Sequence, residues 1–362
     1  MIDDHAHPFD LTGGPLHLSA LSLDVSSDPG SEERRQTLGS GRLFQELLTT
    51  RLARYLECDP DDVPQAREEA SADWPSYVSG LFRDAGIEGI VMDPAWPPEA
   101  AEQVDRYAEV SGCSIHPILR VEPMVDRLIG EGATATEIVD AVQAAMENVV
   151  SRGWVGFKTI LAYRTGLAVD PNATPAQAEA SLQSDAPVRR RGKACRDLVL
   201  RIALATAADL NRPFQIHTGI GDSEIRLAES NPLLLEELLR SPEGSAGPIV
   251  LIHGSYPWTD ELAYLTATKP NVWADLSLCN IFSPMATAQN MLRLLDLAPV
   301  PRILMATDGF QEPEVYWFAA GILREAWRQA RSTLAAAGAR PGWLDDAERR
   351  IFGENARALY GL

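Results

Sequence analysis

Positive charge is scarce. The 362-residue chain sets 32 Lys and Arg against 51 Asp and Glu, a formal charge of −19. That balance argues against nucleic acid or an anionic membrane as a partner and leaves a small-molecule substrate as the expectation. The one basic run, Arg189-Arg190-Arg191-Gly192-Lys193, reads as a solvated turn before a helix. Cysteine is sparse as well: Cys58, Cys113, Cys195 and Cys279 are far apart, with no Cys-x-x-Cys pair. They read as reduced thiols of a cytoplasmic protein, not as a disulfide framework. No apolar run is long enough to span a bilayer, and no cationic, apolar leader precedes Asp3-Asp4-His5. No Gly-x-Ser-x-Gly elbow occurs, and no cysteine stands with a histidine at a strand end, so covalent catalysis has little support. Internal repeats and low-complexity tracts are absent. Histidine is rare, at six residues, and this makes the placement of each one informative.

What remains is the composition of a globular protein with a full core, 45% hydrophobic and 23% charged. The length suits one large barrel or two ordinary domains. Short apolar runs alternate with helical patterns. Strands are expected at Met1–Asp4, Ile87–Met92, Ser114–Val121, Trp154–Leu161, Pro213–His217, Pro248–His253, Val272–Leu276 and Arg302–Ala306. Helices are expected between them, among them Thr136–Val150, Arg196–Leu210, Leu227–Leu239 and Glu314–Ala337, with Leu344–Leu359 at the end. Strand and helix in alternation indicate parallel βαβ units, and eight strands are the number that closes a (β/α)8 TIM barrel. An open doubly wound sheet would advertise a Gly-rich loop after its first strand, and Gly219-x-Gly221 is too short to be one. Residues 11–85 form a long, largely helical insertion after the first strand, with helices near Leu43–Leu56 and Trp74–Ala85. Coming straight after that strand, the insertion is expected to act as a cap or lid within a single 1–362 barrel.

Ligand-type residues gather at strand ends. His5 and His7, one residue apart in extended chain, face the same side and can converge on one divalent metal. Pro8 ends the strand just beyond them. His217 ends the fifth strand, His253 the sixth and Asp308 the eighth. The carboxyl ends of the strands are the face on which barrel active sites are built, and closure makes the eighth strand the neighbour of the first. His116, early in the third strand, reads as a hydrogen-bonded core histidine, and His17 as solvated.

This pattern resembles the amidohydrolase superfamily, in particular its amidohydrolase-related (amidohydrolase 2) branch. The closing Ile351-Phe-Gly-Glu-Asn-Ala-Arg-Ala-Leu-Tyr-Gly361 is similar to that branch's C-terminal signature. His253-Gly-Ser-Tyr-Pro-Trp258 and Phe157-Lys-Thr-Ile-Leu-Ala-Tyr-Arg164 resemble the amidohydrolase domain found fused to glutamine-synthetase-like domains. The resemblance implies that His5, His7, His217 and Asp308 hold one divalent metal, zinc by expectation. It implies that His253 polarises the substrate or passes a proton. A catalytic zinc needs protein ligands and an open position for water, whose pKa it lowers to about 7. Asp308 is then placed to take the proton.

Lys158 is open to two readings. As an unmodified, catalytic-site lysine it would face a substrate carboxylate. Carboxylated, it would bridge two metals, with His217 and His253 holding the second. Arg120, Tyr163, Arg164 and Trp258 are candidate substrate-binding residues. An arginine fork suits a carboxylate, although Arg120 and Arg164 could equally brace loops through ion pairs. The function expected is a metal-dependent hydrolase cleaving a C–N (amide) bond of a small carboxylate-bearing molecule, possibly a γ-glutamyl amide. A metal-dependent non-oxidative decarboxylase is the alternative, and a catalytically silent binding protein a more distant one. A homo-oligomer is compatible with all three.

Overall fold

A computed structural model describes residues 1–16, 21, 23, 30–95 and 101–362. Eight parallel strands run in sequence order: β1 (Ile2–Ala6), β2 (Gly89–Met92), β3 (Ser114–Arg120), β4 (Gly156–Thr159), β5 (Phe214–His217), β6 (Ile249–Ile252), β7 (Val272–Leu276) and β8 (Ile303–Met305). Just beyond β8 the chain returns to β1: Asp308 N–H donates to the His5 carbonyl at 2.9 Å and His7 N–H to the Gly309 carbonyl at 2.8 Å. The result is a nearly closed TIM barrel. Apart from β3, whose ends are partly exposed, its strands are almost wholly buried on both faces, which is why most of them read as apolar runs with no alternation.

Inside, Ile2, Val91, Ile118, Val250, Ile252 and Leu304 form one apolar layer, closed by Ala356 and Tyr360 of the last helix (Asn355–Tyr360). The C-terminal signature therefore has a structural task. Asn355 Nδ2 donates to the carbonyls of Val300 and Ile303, both at 2.8 Å. The Tyr360 hydroxyl accepts from Gln215 Nε2 at 2.8 Å, and the same nitrogen donates to the Asp4 carbonyl at 2.8 Å. These bonds satisfy polar groups that burial would otherwise penalise.

Helix boundaries follow the local chemistry. The helix Ala135–Ser151 opens on a reciprocal capping box between Thr134 and Glu137. The helix Trp74–Ala85 opens on Asp73, which accepts from Ser76 N–H at 3.3 Å, and closes at Gly86 with φ +65°. One expected helix is not continuous. Leu227–Leu239 is two 3₁₀ turns, Leu227–Ser230 and Pro232–Leu235, then the helix Glu236–Arg240. Pro232 lacks the N–H that an unbroken helix would need. The expected last helix is likewise Pro341–Arg349, a π turn over Arg350–Glu354, and Asn355–Tyr360.

Between β1 and β2 lie the helices Ser31–Leu38, Leu43–Tyr55, Val63–Ala70 and Trp74–Ala85. The last is the return helix to β2, packed beside Pro313–Ala336 and Val104–Ser111. Leu21, Phe44 and Leu48 pack on Ile281, Val315 and Phe318, which come from the segments after β7 and β8. Arg67, 1% exposed, anchors this packing: Nε donates to Glu314 at 2.7 Å, and the guanidinium lies 4.7 Å from the Trp74 ring. His17 falls outside the described residues, as do Glu99 and Ala100, the first residues of the helix that the sequence predicts over Glu99–Val110.

Candidate active site

The register of β1 shifts between Asp3 and Ala6, and past this irregularity His5 and His7 stand with ring centroids 5.0 Å apart, edge to face. Asp3 ties the end of β8 to this strand. Its carboxylate accepts from Thr307 N–H at 2.8 Å and from the Thr307 hydroxyl at 2.5 Å. Asp308 follows with φ +51°, and its Oδ1 lies 3.5 Å from His5 Nε2 and 3.6 Å from His7 Nε2. A left-handed backbone at a residue other than glycine costs about 1–3 kcal/mol and persists only where the surroundings hold it.

His253 shows the same strain. Val250 and Ile252 point into the barrel, so simple alternation would turn His253 outward. Instead His253, Gly254 and Ser255 have φ of +70°, +60° and +46°, and the imidazole enters the site. Its Nε2 lies 2.9 Å from His217 Nδ1, and its Nδ1 lies 2.9 Å from Ser277 Oγ and 3.6 Å from Asp308 Oδ2. His217 donates from Nε2 to the Ile220 carbonyl at 3.0 Å, which leaves its Nδ1 bare.

The cation in this structure is a side chain. Lys158 Nζ lies 2.8 Å from His5 Nε2, 3.1 Å from Asp93 Oδ2 and 3.5 Å from His7 Nε2. Arg120 closes on the same Asp93 oxygen, at 2.7 Å from Nε and 2.6 Å from a terminal nitrogen. Burial alone would raise the Asp93 pKa, but Arg120 and Lys158 override it and hold the carboxyl well below the usual range. Burial, opposed by Asp93, pulls Lys158 down to about 8. Burial likewise keeps His5, His7, His217 and His253 neutral, well below their ordinary pKa, and pushes Asp308 well above the carboxylate range.

These groups fit a divalent metal. Neutral imidazoles present bare nitrogens, and Asp308 Oδ1 is buried with no hydrogen-bond donor. Among the described residues, ligand atoms gather within 4.8 Å in two sets, His5/His253/Asp308 and His5/His7/Asp93. His253, expected outside the ligands of a single metal and among those of a second, lies within reach of His5 and Asp308, and Asp93 lies within reach of His5 and His7 from the end of β2.

The site opens into a cavity of about 430 Å³. His7, Arg120, Lys158, Tyr163, Arg164, His217, His253 and Asp308 all line it, whereas His5 lies beneath, fully buried against Lys158. Tyr163 packs edge to face on His217, centroids 4.7 Å apart, and its hydroxyl accepts from Asp222 N–H at 3.2 Å. Arg164 is braced through Nε by Asp126 at 2.9 Å. Trp258 corrects the sequence expectation. It is absent from the lining and stands at the N-cap of the helix Thr259–Thr268, because the turn after His253 carries it away. The aromatic wall is Phe282 and Phe310, 6.3 Å apart and stacked, with Leu23 of the insertion also in the lining.

Sequence reasoning missed Asp93, Asp275 and Ser277. Asp93 was within reach, since it closes the run Gly-Ile-Val-Met much as Asp308 closes Ile-Leu-Met-Ala-Thr. Asp275 and Ser277 matter through what they touch, and no local signal marks that.

Comparison with known proteins agrees with this architecture. The chain is 29% identical over 370 residues to Protein fluG of Emericella nidulans, a match that covers 90% of this chain and 41% of that protein. The chain thus spans less than half the length of that relative. Among solved structures, a candidate metal-dependent hydrolase from Lactobacillus casei superposes with a TM-score of 0.87 at 23% identity, over 99% of this chain and 94% of that one. The uronate isomerase of Thermotoga maritima superposes with a TM-score of 0.66 at 16% identity, over 99% and 94%. These two share the fold. The sequence model of the amidohydrolase family matches residues 2–362, nearly the entire chain, and the protein belongs to that family.

Proposed function

We propose that this protein is a metal-dependent hydrolase that cleaves the C–N bond of a small, carboxylate-bearing amide. The observation that carries the reading is the orphaned Asp308 Oδ1, buried without a donor and 3.5–3.6 Å from the Nε2 atoms of His5 and His7. His5, His7, His217 and Asp308 would hold one divalent cation, zinc by preference, with Lys158 unmodified; two ions would follow if Lys158 were carboxylated. The cation supplies Lewis acidity and lowers the pKa of water to about 7.

The chain's own residues supply the rest. Water adds to the amide carbonyl, Asp308 accepts its proton, and the proton passes to the leaving nitrogen as the C–N bond breaks. His253 is the second group able to take a proton. Arg164 offers its terminal nitrogens to a substrate carboxylate, since only its Nε is bonded to Asp126. The insertion, through Leu23, acts as a cap that narrows access and excludes water. A γ-glutamyl amide would satisfy the proposed anchor and the proposed bond.

Elemental analysis of purified protein should find about one divalent metal per chain, lost in a His5→Ala/His7→Ala variant. A panel of γ-glutamyl amides and aromatic carboxylates is then scored for amine or ammonia against carbon dioxide. Amine release that depends on the metal supports the proposal. Carbon dioxide without amine assigns a decarboxylase, and full activity of metal-free protein removes the metal from the reaction.

A further inference from the structure

The cavity has two unlike walls. In the ring of strands, β3 and β4 lie across from β7 and β8. Arg120 ends β3, and Tyr163 and Arg164 follow β4; Leu278 and Phe282 follow β7, and Phe310 follows β8. All of them line the cavity. His5 lies between the two sides, 2.8 Å from Lys158 Nζ of β4 and 3.5 Å from Asp308 beyond β8. Among the described lining residues, the segments after β7 and β8 contribute one charged side chain, Asp308 itself.

The apolar wall is held in place from several directions. Leu278 has φ +56°, a left-handed backbone that a bulky residue adopts only where its surroundings impose it. Its carbonyl accepts from Ile281 and Phe282 N–H at 3.0 and 3.2 Å, which opens the short helix Cys279–Phe282. Fully buried Asn280 ties that helix to the end of β8, its Nδ2 donating to the Ala306 carbonyl at 2.9 Å. Phe310 is fixed from the β1 side, where the next residue, Gln311, donates its N–H to the Pro8 carbonyl at 3.0 Å. Behind them, both rings pack on the cluster that holds Phe44, Leu48, Ile281 and Val315, with Phe44 edge to face on Phe282 at 5.2 Å. Both rings nevertheless stay half-buried and face the cavity.

Such a surface gains from being covered by apolar area, and a flat ring adds favourable aromatic contact. A charged or hydrogen-bonding group set against it would lose water without gaining a partner. We propose that the cavity sorts the two ends of its substrate: the carboxylate goes to Arg164, and a flat apolar group on the leaving nitrogen goes to Leu278, Phe282 and Phe310. On the hydrolase reading, which this assignment deepens, the amine released is apolar, not ammonia and not a cationic polyamine.

A pair of ligands that cannot be hydrolysed tests the wall. A glutaric half-anilide with its nitrogen replaced by methylene is a benzyl ketone, and the matching methyl ketone lacks the ring. Calorimetry on the purified protein should find the benzyl ketone bound about 10-fold or more tightly than the methyl ketone. Phe282→Ala and Phe310→Ala should each cut that ratio to about threefold or less, whereas Arg164→Gln should weaken both ketones alike. Equal affinities in wild-type protein, or binding of neither ketone, overturn the proposal without recourse to a variant. A ratio unchanged in both alanine variants overturns it as well. In turnover, γ-glutamyl benzylamide should exceed γ-glutamyl methylamide in kcat/KM by about 10-fold. A preference for the benzyl ketone in protein that hydrolyses no amide leaves the apolar wall standing and removes the hydrolase reading. Amide hydrolysis with equal ketone affinities does the reverse.

Discussion

The ammonium of Lys158 lies 2.8 Å from Nε2 of His5, although 153 residues separate them in the chain. The contact puts a positive charge beside His5 and His7, two of the proposed metal ligands. It also explains why Asp93 and Arg120, from the ends of β2 and β3, crowd the same spot: each adjusts the charge that Lys158 feels.

Burial lowers the Lys158 pKa from 10.5 to about 8. Between those values the unfolded chain holds this proton and the folded chain has released it, so stability rises with pH across the window. For one group the rise is about 1.4 kcal/mol per pH unit. Urea unfolding of metal-free wild-type and Lys158→Met protein at pH 8 and pH 10 reads it as a difference. Wild type should gain relative to the variant on going to pH 10; equal responses would sink the assignment.

Arg164 and Trp258 should separate cleanly in kinetics, because only Arg164 faces the cavity. Arg164→Gln is expected to raise KM about 10-fold or more with kcat little changed, as removal of a binding contact does. Trp258→Phe should leave both constants within about twofold. A KM effect at Trp258 equal to that at Arg164 would contradict the cavity assignment.

Arg67 holds the insertion to the barrel through Glu314 and Glu312, at 2.7 and 3.1 Å, and Tyr77 adds a 2.9 Å hydrogen bond to Glu314. Removing one partner leaves a buried charge unpaired, at a cost of about 3–5 kcal/mol. Arg67→Met should therefore lower the urea midpoint substantially. A variant as stable as wild type would show that the network is a surface contact in solution.

Thiol chemistry offers an independent check on packing. Cys113, Cys195 and Cys279 are buried and Cys58 is half-buried. Burial pushes the first three thiols up to about 11, 11 and 12, so almost no thiolate forms at pH 8. Native protein should react with a disulfide reagent at Cys58 alone, and all four should react in guanidinium. Fast modification of a second cysteine in the native state would mean that one of these sites is open.

Much of this protein was legible in the chain itself. Strands buried on both faces must be apolar runs, and helices between them must repeat every three to four residues, so the barrel can be read one element at a time. The histidines and Asp308 follow from the same reading, because a residue just past such a run lies at the active face of a barrel. What the chain could not express is direction and pairing across distance. Arg67 meets Glu314 across 247 residues, and Ser277 meets His253 across 24. The left-handed turn at His253 swings its imidazole inward and carries Trp258 away, and the Asp275 carboxylate on the neighbouring strand braces it through the His253 N–H. The charge on Lys158 is likewise beyond the chain alone, since the state of a buried amine depends on the charges packed around it. Local periodicity determines the elements; which side chains share a proton or a charge is decided only when the barrel closes.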